Sequence, residues 1–210
     1  MPSRSHSSPP PPIPATLPPT MGSLLARALG VLAALTVLTG VLYPLLVTGL
    51  ARVAFADQAK GSLIVRDGKV TGSRLIGQPF DDPRYFWGRL SATAPMTYNA
   101  SSSAGSNLGP TNEAITKAAR ARMDALRADD PGNTAPIPVD LVTSSASGLD
   151  PHVTPAAALY QVSRVARARA LPEERLRQLV LAHTEGRALG VLGEPRVNVL
   201  LLNLALDDLK

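Results

Sequence analysis

The stretch from Ser144 to His152 contains the residue types of a serine hydrolase. It gathers a serine (Ser147), a carboxylate (Asp150) and a histidine (His152), which act as nucleophile, orienting group and general base in such enzymes. It lacks the Gly-x-Ser-x-Gly turn that exposes the nucleophile of the α/β-hydrolases. Because Ser, Gly, Asp and Pro are also common turn formers, we favour a loop before a helix that opens at Thr154. A periplasmic serine hydrolase released from a signal peptide is the alternative.

The sequence has few of the residues that phosphate-binding loops and metal sites require. Val70 follows Gly68-Lys69 where a Walker-type loop needs a hydroxyl, and Leu63 stands where its first glycine belongs. The chain has three histidines and no cysteine. Disulfides, thiolate zinc sites, iron–sulfur clusters and a multi-histidine metal site built from this chain alone are therefore excluded. We predict no catalytic residues and no metal ligands.

The chain is only weakly basic once its N-terminal part is set aside. The formal net charge is +5, but Arg4, Arg27 and Arg52 precede Asp57, so 18 basic and 16 acidic side chains remain from there on. Nucleic-acid binding needs a concentrated basic surface, usually with aromatic stacking platforms, and aromatic residues are only 4% of the chain. We predict no nucleic-acid partner.

A long apolar run near the N-terminus predicts a membrane-spanning helix. Residues 28–51 carry no charged side chain, and at about 1.5 Å per residue they span about 36 Å, more than a bilayer core of about 30 Å. We place the helix at residues 23–52, interrupted by Tyr43-Pro44. Ala54-Phe55-Ala56 resembles a signal-peptidase site, but apolar segments of signal peptides run only about 7–15 residues. An uncleaved anchor is therefore favoured.

Proline and serine dominate the sequence before this helix. The first twenty residues contain eight of the 20 prolines and almost nothing that could be buried, so we predict a disordered tail at residues 1–22. Met21 directly follows the proline-rich part and is a candidate for the biological start, with the proline-rich tail as an upstream extension. Basic residues flank the helix on both sides, and they leave its orientation open.

The part after the helix, residues 57–210, predicts one soluble domain that begins with β structure and a long loop. Asp67-Gly68 lies between two short β-prone runs, which indicates a hairpin. Residues 78–110 are rich in Gly, Ser, Asn, Asp and Pro and show no sustained period, so we predict a long ordered loop there. Tyr85-Phe86-Trp87 is expected to pin that loop to the core, since large aromatic side chains bury well.

Three amphipathic helices are predicted after the loop, opening at Thr111-Asn112, Thr154-Pro155 and Pro172-Glu173. The first has Ile115, Ala119, Met123 and Leu126 on its apolar side, with Arg120, Arg122 and Arg127 facing elsewhere. The arginines at positions 164, 167, 169, 175 and 177 are interpreted as a solvated face, with partners in Glu173, Glu174 and Glu185.

Two apolar stretches complete the predicted domain. Val139 to Val142 is expected to be strand-like, and Val197 to Leu206 a buried strand that runs into a final turn of helix. The fold class is therefore α+β: one N-terminal transmembrane helix followed by a single mixed α/β domain.

Several blocks of the sequence, in order, resemble the C subunit of the bacterial Kdp potassium-transporting ATPase. The blocks are Gly61-Ser62-Leu63-Ile64, Gly72-Ser73-Arg74-Leu75-Ile76-Gly77-Gln78, Tyr85-Phe86-Trp87-Gly88-Arg89-Leu90-Ser91-Ala92, Gly105-Ser106-Asn107-Leu108, Ser145-Ala146-Ser147-Gly148-Leu149-Asp150-Pro151 and Gln161-Val162-Ser163-Arg164-Val165-Ala166. Tyr43-Pro44-Leu45-Leu46 in the helix also fits. Two departures lie in the loop: Leu90 replaces a usual proline, and Ser103-Ala104 a usual Ser-Gly pair.

The resemblance implies a non-catalytic accessory subunit of the high-affinity, ATP-driven potassium uptake complex. Its partners would be a potassium-channel-like subunit and a P-type ATPase subunit. It would help to assemble and stabilise the complex, and act as a catalytic chaperone that raises the affinity of the ATPase subunit for ATP. ATP is the one small molecule implied. The resemblance also implies a single-pass protein of the bacterial inner membrane with its C-terminal domain outside the cytoplasm.

The resemblance also marks individual positions of this sequence. It implies a nucleotide contact at Gln161. The structural or interface candidates that it implies are Tyr43, Pro44, Tyr85, Phe86, Arg89, Ser91, Asn107 and Asp150.

Overall fold

The computed structural model describes residues 20–209, which divide into two units after Ala56. The first unit contains helices α1 (Met21–Val37) and α2 (Tyr43–Ala54), joined by a π-helical turn at Leu38–Leu42. Together they form one helix of 34 residues that is long and apolar enough to cross a membrane. The predicted N-terminal candidate membrane helix is confirmed.

The observed helix extends two residues beyond the predicted range of 23–52 at each end. Thr20 caps its start, because the Thr20 hydroxyl oxygen accepts a hydrogen bond from the Ser23 N–H at 3.4 Å. Met21 and Gly22 belong to this helix and not to the predicted tail. The rest of the predicted tail, residues 1–19, lies outside the described residues.

Tyr43-Pro44 does not end the helix, which instead widens just before it. Proline has no N–H to donate to the carbonyl of Gly40, four residues earlier, and its ring crowds that carbonyl. The N–H of Tyr43 donates to Leu38, five residues earlier. This π-type bond lets the helix continue past Pro44.

The second unit, from Asp57 onwards, is a mixture of helices and short strands, which confirms the predicted α+β class. A short helix, α3 (Ala56–Ala59), leads into it. The elements that follow are β1 (Leu63–Arg66), β2 (Lys69–Ser73), α4 (Glu113–Asp129), β3 (His152–Val153), α5 (Pro155–Tyr160), α6 (Val162–Arg169), α7 (Glu173–Ala182), β4 (Thr184–Glu185), β5 (Arg196–Asn198) and α8 (Val199–Asp207).

The strands that the structure describes form two small antiparallel sheets. The first is the predicted hairpin, β1–β2. Its turn residues Asp67 and Gly68 have φ values of 51° and 74°, the left-handed conformation that a two-residue hairpin turn requires. The second sheet has the order β3-β5-β4, with Val197 of the central strand paired to Val153 on one side and Thr184 on the other.

The core of the domain lies between this second sheet and the helices. The three predicted amphipathic helices are present, and Asn112 and Thr154 cap the first two through their side-chain oxygens. The second is divided at Gln161 into α5 and α6. Fully buried apolar side chains come from the helices, β5 and the long loop: Phe86, Leu126, Val162, Val165, Leu176, Val180, Val197, Leu202 and Leu206.

One sequence prediction about secondary structure was wrong, and another, the buried strand that runs into a helix at Val197 to Leu206, was right in its order but not in its extent. The stretch predicted as a strand, Val139 to Val142, forms a 3-10 turn at Val139–Leu141, because the buried Asp140 carboxylate accepts the Thr154 N–H at 2.7 Å and holds the chain beside α5. The C-terminal stretch is mainly helical. Asn198 ends β5 and caps α8 by accepting the Leu201 N–H at 3.1 Å, so the side-chain amide stops the strand early.

Candidate functional site

Two buried amide side chains hold the loop that carries Phe86 and Trp87. Gln161 accepts the Trp87 N–H at 2.8 Å and donates to the Trp87 carbonyl at 3.1 Å. Asn203 accepts the Phe86 N–H at 2.9 Å and donates to the Phe86 carbonyl, also at 2.9 Å. Each amide thus pairs with the backbone of one loop residue as a neighbouring strand would. We call Gln161 and Asn203 the amide clamps.

The clamps seat the aromatic residues of the loop in the core. Phe86 is 0% and Trp87 3% exposed, which confirms that this segment pins the loop. The indole Nε1 of Trp87 donates to the Asp82 carbonyl at 3.0 Å. Two guanidinium groups lie over the indole ring, Arg122 at 4.4 Å and Arg164 at 4.6 Å from the ring centroid, a cation–π arrangement.

Arg164, predicted to lie on a solvated face, is instead 2% exposed. Its guanidinium donates to the carbonyls of Pro83 at 2.6 Å and Tyr85 at 3.0 Å, and to Gln161 Oε1 at 2.7 Å. Burial lowers the pKa of Arg164 to about 10, which leaves it protonated at neutral pH. The cation is retained because loop carbonyls replace water around it.

Arg122 also departs from its prediction, since it does not face away from the domain. It is half-buried on α4 and donates to the carbonyls of Gly88 at 2.9 Å and Leu141 at 3.3 Å. Burial lowers its pKa. Elsewhere in the basic run, Arg177 lies 3.4 Å from Glu173 at i,i+4 spacing, as predicted.

The predicted nucleotide contact, Gln161, is 1% exposed. Its oxygen accepts from Trp87 and Arg164, and its nitrogen donates to the carbonyls of Trp87 and Ala157. Four hydrogen bonds use the full capacity of a glutamine amide. The structure therefore gives Gln161 a positioning role in the fold, and a contact with nucleotide stays a prediction.

A second polar cluster lines a cleft of about 310 Å³. Arg89 and Asp150 are 3.2 Å apart, and His152 Nδ1 is 3.3 Å from the other Asp150 oxygen. Arg89 also reaches Thr143 Oγ1 at 3.5 Å and donates to the Ser144 carbonyl at 3.3 Å. We call the site formed by Arg89, Asp150 and His152 the Arg89 cleft.

The electrostatics of the Arg89 cleft favour an ionised carboxylate beside an incompletely paired cation. Burial alone raises the pKa of Asp150, but hydrogen bonds from the His152 ring and N–H and the charge of Arg89 hold this pKa below its usual range. Arg89 Nε is buried and has no hydrogen-bond partner among the residues that the structure describes. This Nε is thus a buried donor that the packing leaves unsatisfied.

The loop around Ser91 supports this cleft from behind. Ser91 Oγ donates to the Gly148 carbonyl at 2.7 Å and accepts the Tyr98 N–H at 2.9 Å, while the Tyr98 hydroxyl donates to the Arg89 carbonyl at 2.6 Å. Gly148 has a φ of +68°, and a Cβ there would come within 2.5 Å of Thr93 Cγ2, so only glycine fits. Of the marked residues, Arg89, Ser91 and Asp150 are thus brought together.

The remaining marked residues lie apart from this cleft. Asn107 is exposed in the long loop with a φ of +50°. Tyr85 is half-buried, its hydroxyl 3.3 Å from Asp207 Oδ2 and its ring 4.6 Å below the guanidinium of Arg169. Tyr43 is 63% exposed on α2, next to Pro44.

The serine, aspartate and histidine of the hydrolase alternative are not linked as that chemistry requires. Asp150 and His152 are paired, but Ser147 is exposed and its hydroxyl oxygen accepts the Leu149 N–H at 3.1 Å. That bond closes the turn favoured in the sequence interpretation. Across residues 20–209, no group of three His, Cys, Asp or Glu residues could hold a metal ion.

Sequence reasoning missed several residues on which the site depends: Asn203, the buried Arg164, and Arg122. A polar residue inside an otherwise apolar helix was the available signal for Asn203, which lies between Leu202 and Leu204 of α8. Its partner Phe86 is 117 positions away. No pattern of local spacing could have identified that pair.

The architecture, one candidate membrane helix followed by an α+β domain, defines the broad class of protein, and sequence comparison defines the family. The family model described as "KdpC: K+-transporting ATPase, c chain" matches residues 25–208. The chain therefore belongs to the KdpC family, and the resemblance stated above is confirmed.

Curated relatives agree with this family assignment. The chain is 63% identical over 192 residues to the potassium-transporting ATPase KdpC subunit of Ralstonia nicotianae, covering 91% of this chain and 94% of the relative. It is 65% identical over 183 residues to the subunit of that name in Sorangium cellulosum, covering 87% and 96%. For Polaromonas naphthalenivorans, the identity is 64% over 190 residues, covering 90% and 97%.

Proposed function

We propose that this chain is a non-catalytic accessory subunit that assembles and stabilises an ATP-driven potassium uptake complex. The observation that carries the proposal is the helix of residues 21–54, which has no buried residue along its length. A bare apolar helix requires lipid or partner helices around it. We further propose that it anchors the chain in the bacterial inner membrane as a single pass, with the domain outside the cytoplasm.

The proposed partners are a potassium-channel-like subunit and a P-type ATPase subunit. We assign the contact with them to two surfaces, the helix around Tyr43-Pro44 and the Arg89 cleft. The π-helical turn before Pro44 removes one regular backbone bond, and neighbouring helices can satisfy such freed groups in a membrane. In the cleft, the side chains of Arg89 and Asp150 are 26% and 29% exposed, so the accessible part of this ion pair can meet a polar or charged group of a partner.

The proposed accessory role includes that of a catalytic chaperone, which raises the apparent affinity of the ATPase subunit for ATP. We place this effect in contact with the ATPase subunit rather than in nucleotide bound at Gln161, because the Gln161 amide is buried and fully hydrogen-bonded. Isothermal calorimetry of the chain with ATP should then give no binding heat. A saturable heat, lost in Gln161 variants that remain folded, would instead assign the nucleotide to this domain.

Two experiments test the proposal as a whole. Deleting the chain from cells that express the complex should abolish its potassium-stimulated ATPase activity, and restoring the chain should recover that activity. Activity retained without the chain would contradict the accessory role. A reporter enzyme that folds only outside the cytoplasm should be active when it is fused after Lys210. A reporter that works only in the cytoplasm should be inactive at the same position, and the opposite pair of results would contradict the proposed topology.

A further inference from the structure

The outer face of the β1–β2 hairpin is apolar and exposed. Val65 and Val70 pair directly across the two strands, so their side chains lie on the same face of the hairpin. The register shifts between Ile64 and Val65, but exposure still alternates along the strand, so Leu63 shares that face with Val65. These side chains are 47% (Leu63), 58% (Val65) and 62% (Val70) exposed. We call these three residues the hairpin face.

The opposite face of the hairpin already packs on the domain. Ile64, which pairs with Gly72, is half-buried. A Cβ on Gly72 would come within 2.8 Å of Leu200 Cδ2 and 2.3 Å of Gln78 Nε2. A hairpin with one packed face normally presents polar residues on the other. The apolar side chains of the hairpin face therefore indicate a surface that is covered by something other than water.

Only a short connection separates the apolar helix from the hairpin in the chain. Leu63 is nine residues after Ala54, and a fully extended chain of that length reaches only about 30 Å. The helix α3 and the turn after it shorten this reach, because a helix rises only about 1.5 Å per residue. The length of the chain thus sets an upper limit of about 30 Å on the distance from Ala54 to Leu63.

The charges around the hairpin face are mainly positive. Lys60, Lys69 and Arg74 are exposed, while Arg66 is paired with Asp208. The acidic residues of this stretch are Asp57 and Asp67. Apolar side chains bordered by lysine and arginine are the composition of protein surfaces that rest on anionic lipid.

We propose that the hairpin face lies on the bilayer, with Leu63, Val65 and Val70 at the level of the headgroups. Lys69 pairs with Arg66 on the other face, but its long, exposed side chain, like those of Lys60 and Arg74, can reach anionic lipid around the edge of the hairpin. The proposal rests on the proposed anchoring of the helix, which keeps the hairpin at a high effective concentration near the membrane. Three modest apolar side chains suffice under that condition, although they would not hold a soluble domain on lipid alone.

The test uses the full chain in liposomes that contain anionic phospholipid. Because the chain has no cysteine, the variant Val70→Cys can carry a single environment-sensitive fluorophore. The matched control is Leu181→Cys on α7, where the side chain is 54% exposed. We expect the V70C label to emit at shorter wavelength than the L181C label and to be quenched by nitroxide-bearing lipid. The combined change Lys60→Gln and Lys69→Gln, or high salt, should weaken that quenching.

Alkaline extraction of the same liposomes separates the hairpin proposal from the anchoring on which it rests. If the chain resists extraction but the V70C and L181C labels behave alike, the hairpin proposal is overturned and the anchor stands. If alkali removes the chain, both proposals fail. If the V70C label is shielded only after the other subunits are added, the face belongs to a protein interface, which also overturns the proposal.

Discussion

The amide clamps and the Arg89 cleft differ in how completely their polar side chains are hydrogen-bonded. Gln161 is buried and makes four hydrogen bonds, whereas Arg89 makes contacts of 3.2 to 3.5 Å and keeps its Nε without a partner among the described residues. A saturated buried network fixes one packing arrangement of the loop. The difference teaches that the clamps belong to the folding of the domain, while the partly exposed ion pair of the cleft stays accessible to a partner.

The largest effect is expected from Gln161→Ala. The change leaves the Trp87 N–H and carbonyl unpaired in the core and removes one acceptor from Arg164, at about 1–3 kcal/mol for each buried group. We therefore expect a loss of about 4 kcal/mol in the free energy of unfolding, measured by denaturation in detergent. Gln178→Ala is the matched control, because Gln178 is exposed and its amide nitrogen donates to Glu174, four residues earlier on α7. If both variants lose the same free energy of unfolding, the proposed stabilising role of the Gln161 clamp is contradicted.

A somewhat smaller effect is expected from Arg164→Met. Methionine keeps much of the buried volume but leaves the carbonyls of Pro83 and Tyr85 without a donor, so we expect a loss of about 3 kcal/mol. Arg177→Met should cost less than about 0.5 kcal/mol, since exposed i,i+4 ion pairs contribute little. Thermal unfolding of both variants gives the comparison. If Arg164→Met loses no more stability than Arg177→Met, the hydrogen bonds from Arg164 to the loop carbonyls do not stabilise the domain.

Arg89→Gln should produce the reverse pattern. Its ion pair with Asp150 is partly exposed, so we expect only about 1 kcal/mol of lost stability, together with a marked loss of potassium-stimulated ATPase activity in the assembled complex. Arg84→Gln, which breaks the exposed pair with Asp82, is the control and should leave that activity unchanged. A stable Arg89→Gln chain that supports full activity would contradict the proposed contact at the cleft.

The smallest effect concerns the pH dependence of stability at Asp150. Its pKa in the folded chain lies below the ordinary value, which is about 3.9 for an unfolded aspartate. The folded state therefore favours the charged form. The resulting stabilisation is complete above the unfolded pKa and is lost as the pH falls through the folded pKa. The stability difference between wild type and Asp150→Asn should be constant near neutral pH and shrink below about pH 4; a difference that grows on acidification would contradict this sign.

Sequence patterns predicted the elements that local chemistry determines. The charge-free run at residues 28–51, the Asp67-Gly68 turn and the caps at Thr154 and Asn112 each carry their signal within a few residues, and each prediction is confirmed. The 3-10 turn at Val139–Leu141 was missed because its cause is the bond from Thr154 to Asp140, 14 residues apart.

The interior of the site was less accessible to sequence reasoning. Arg164 lies in a run of arginines that is typical of a solvated helix face, and only the loop carbonyls of Pro83 and Tyr85, about 80 positions earlier, explain its burial. The partners of Gln161 and Asn203 are 74 and 117 positions away. Long-range pairing of this kind depends on the tertiary fold, and the local patterns of a single sequence do not reveal it.

Co-purification tests the central claim, that this chain acts by joining a larger complex, most directly. A tagged chain should be isolated from membranes in mild detergent, with the Arg89→Gln variant in parallel. The account predicts that two larger membrane proteins, one of them an ATPase, accompany the wild-type chain, and that Arg89→Gln reduces their yield. A wild-type chain that is recovered alone, although folded and membrane-bound, would contradict the account.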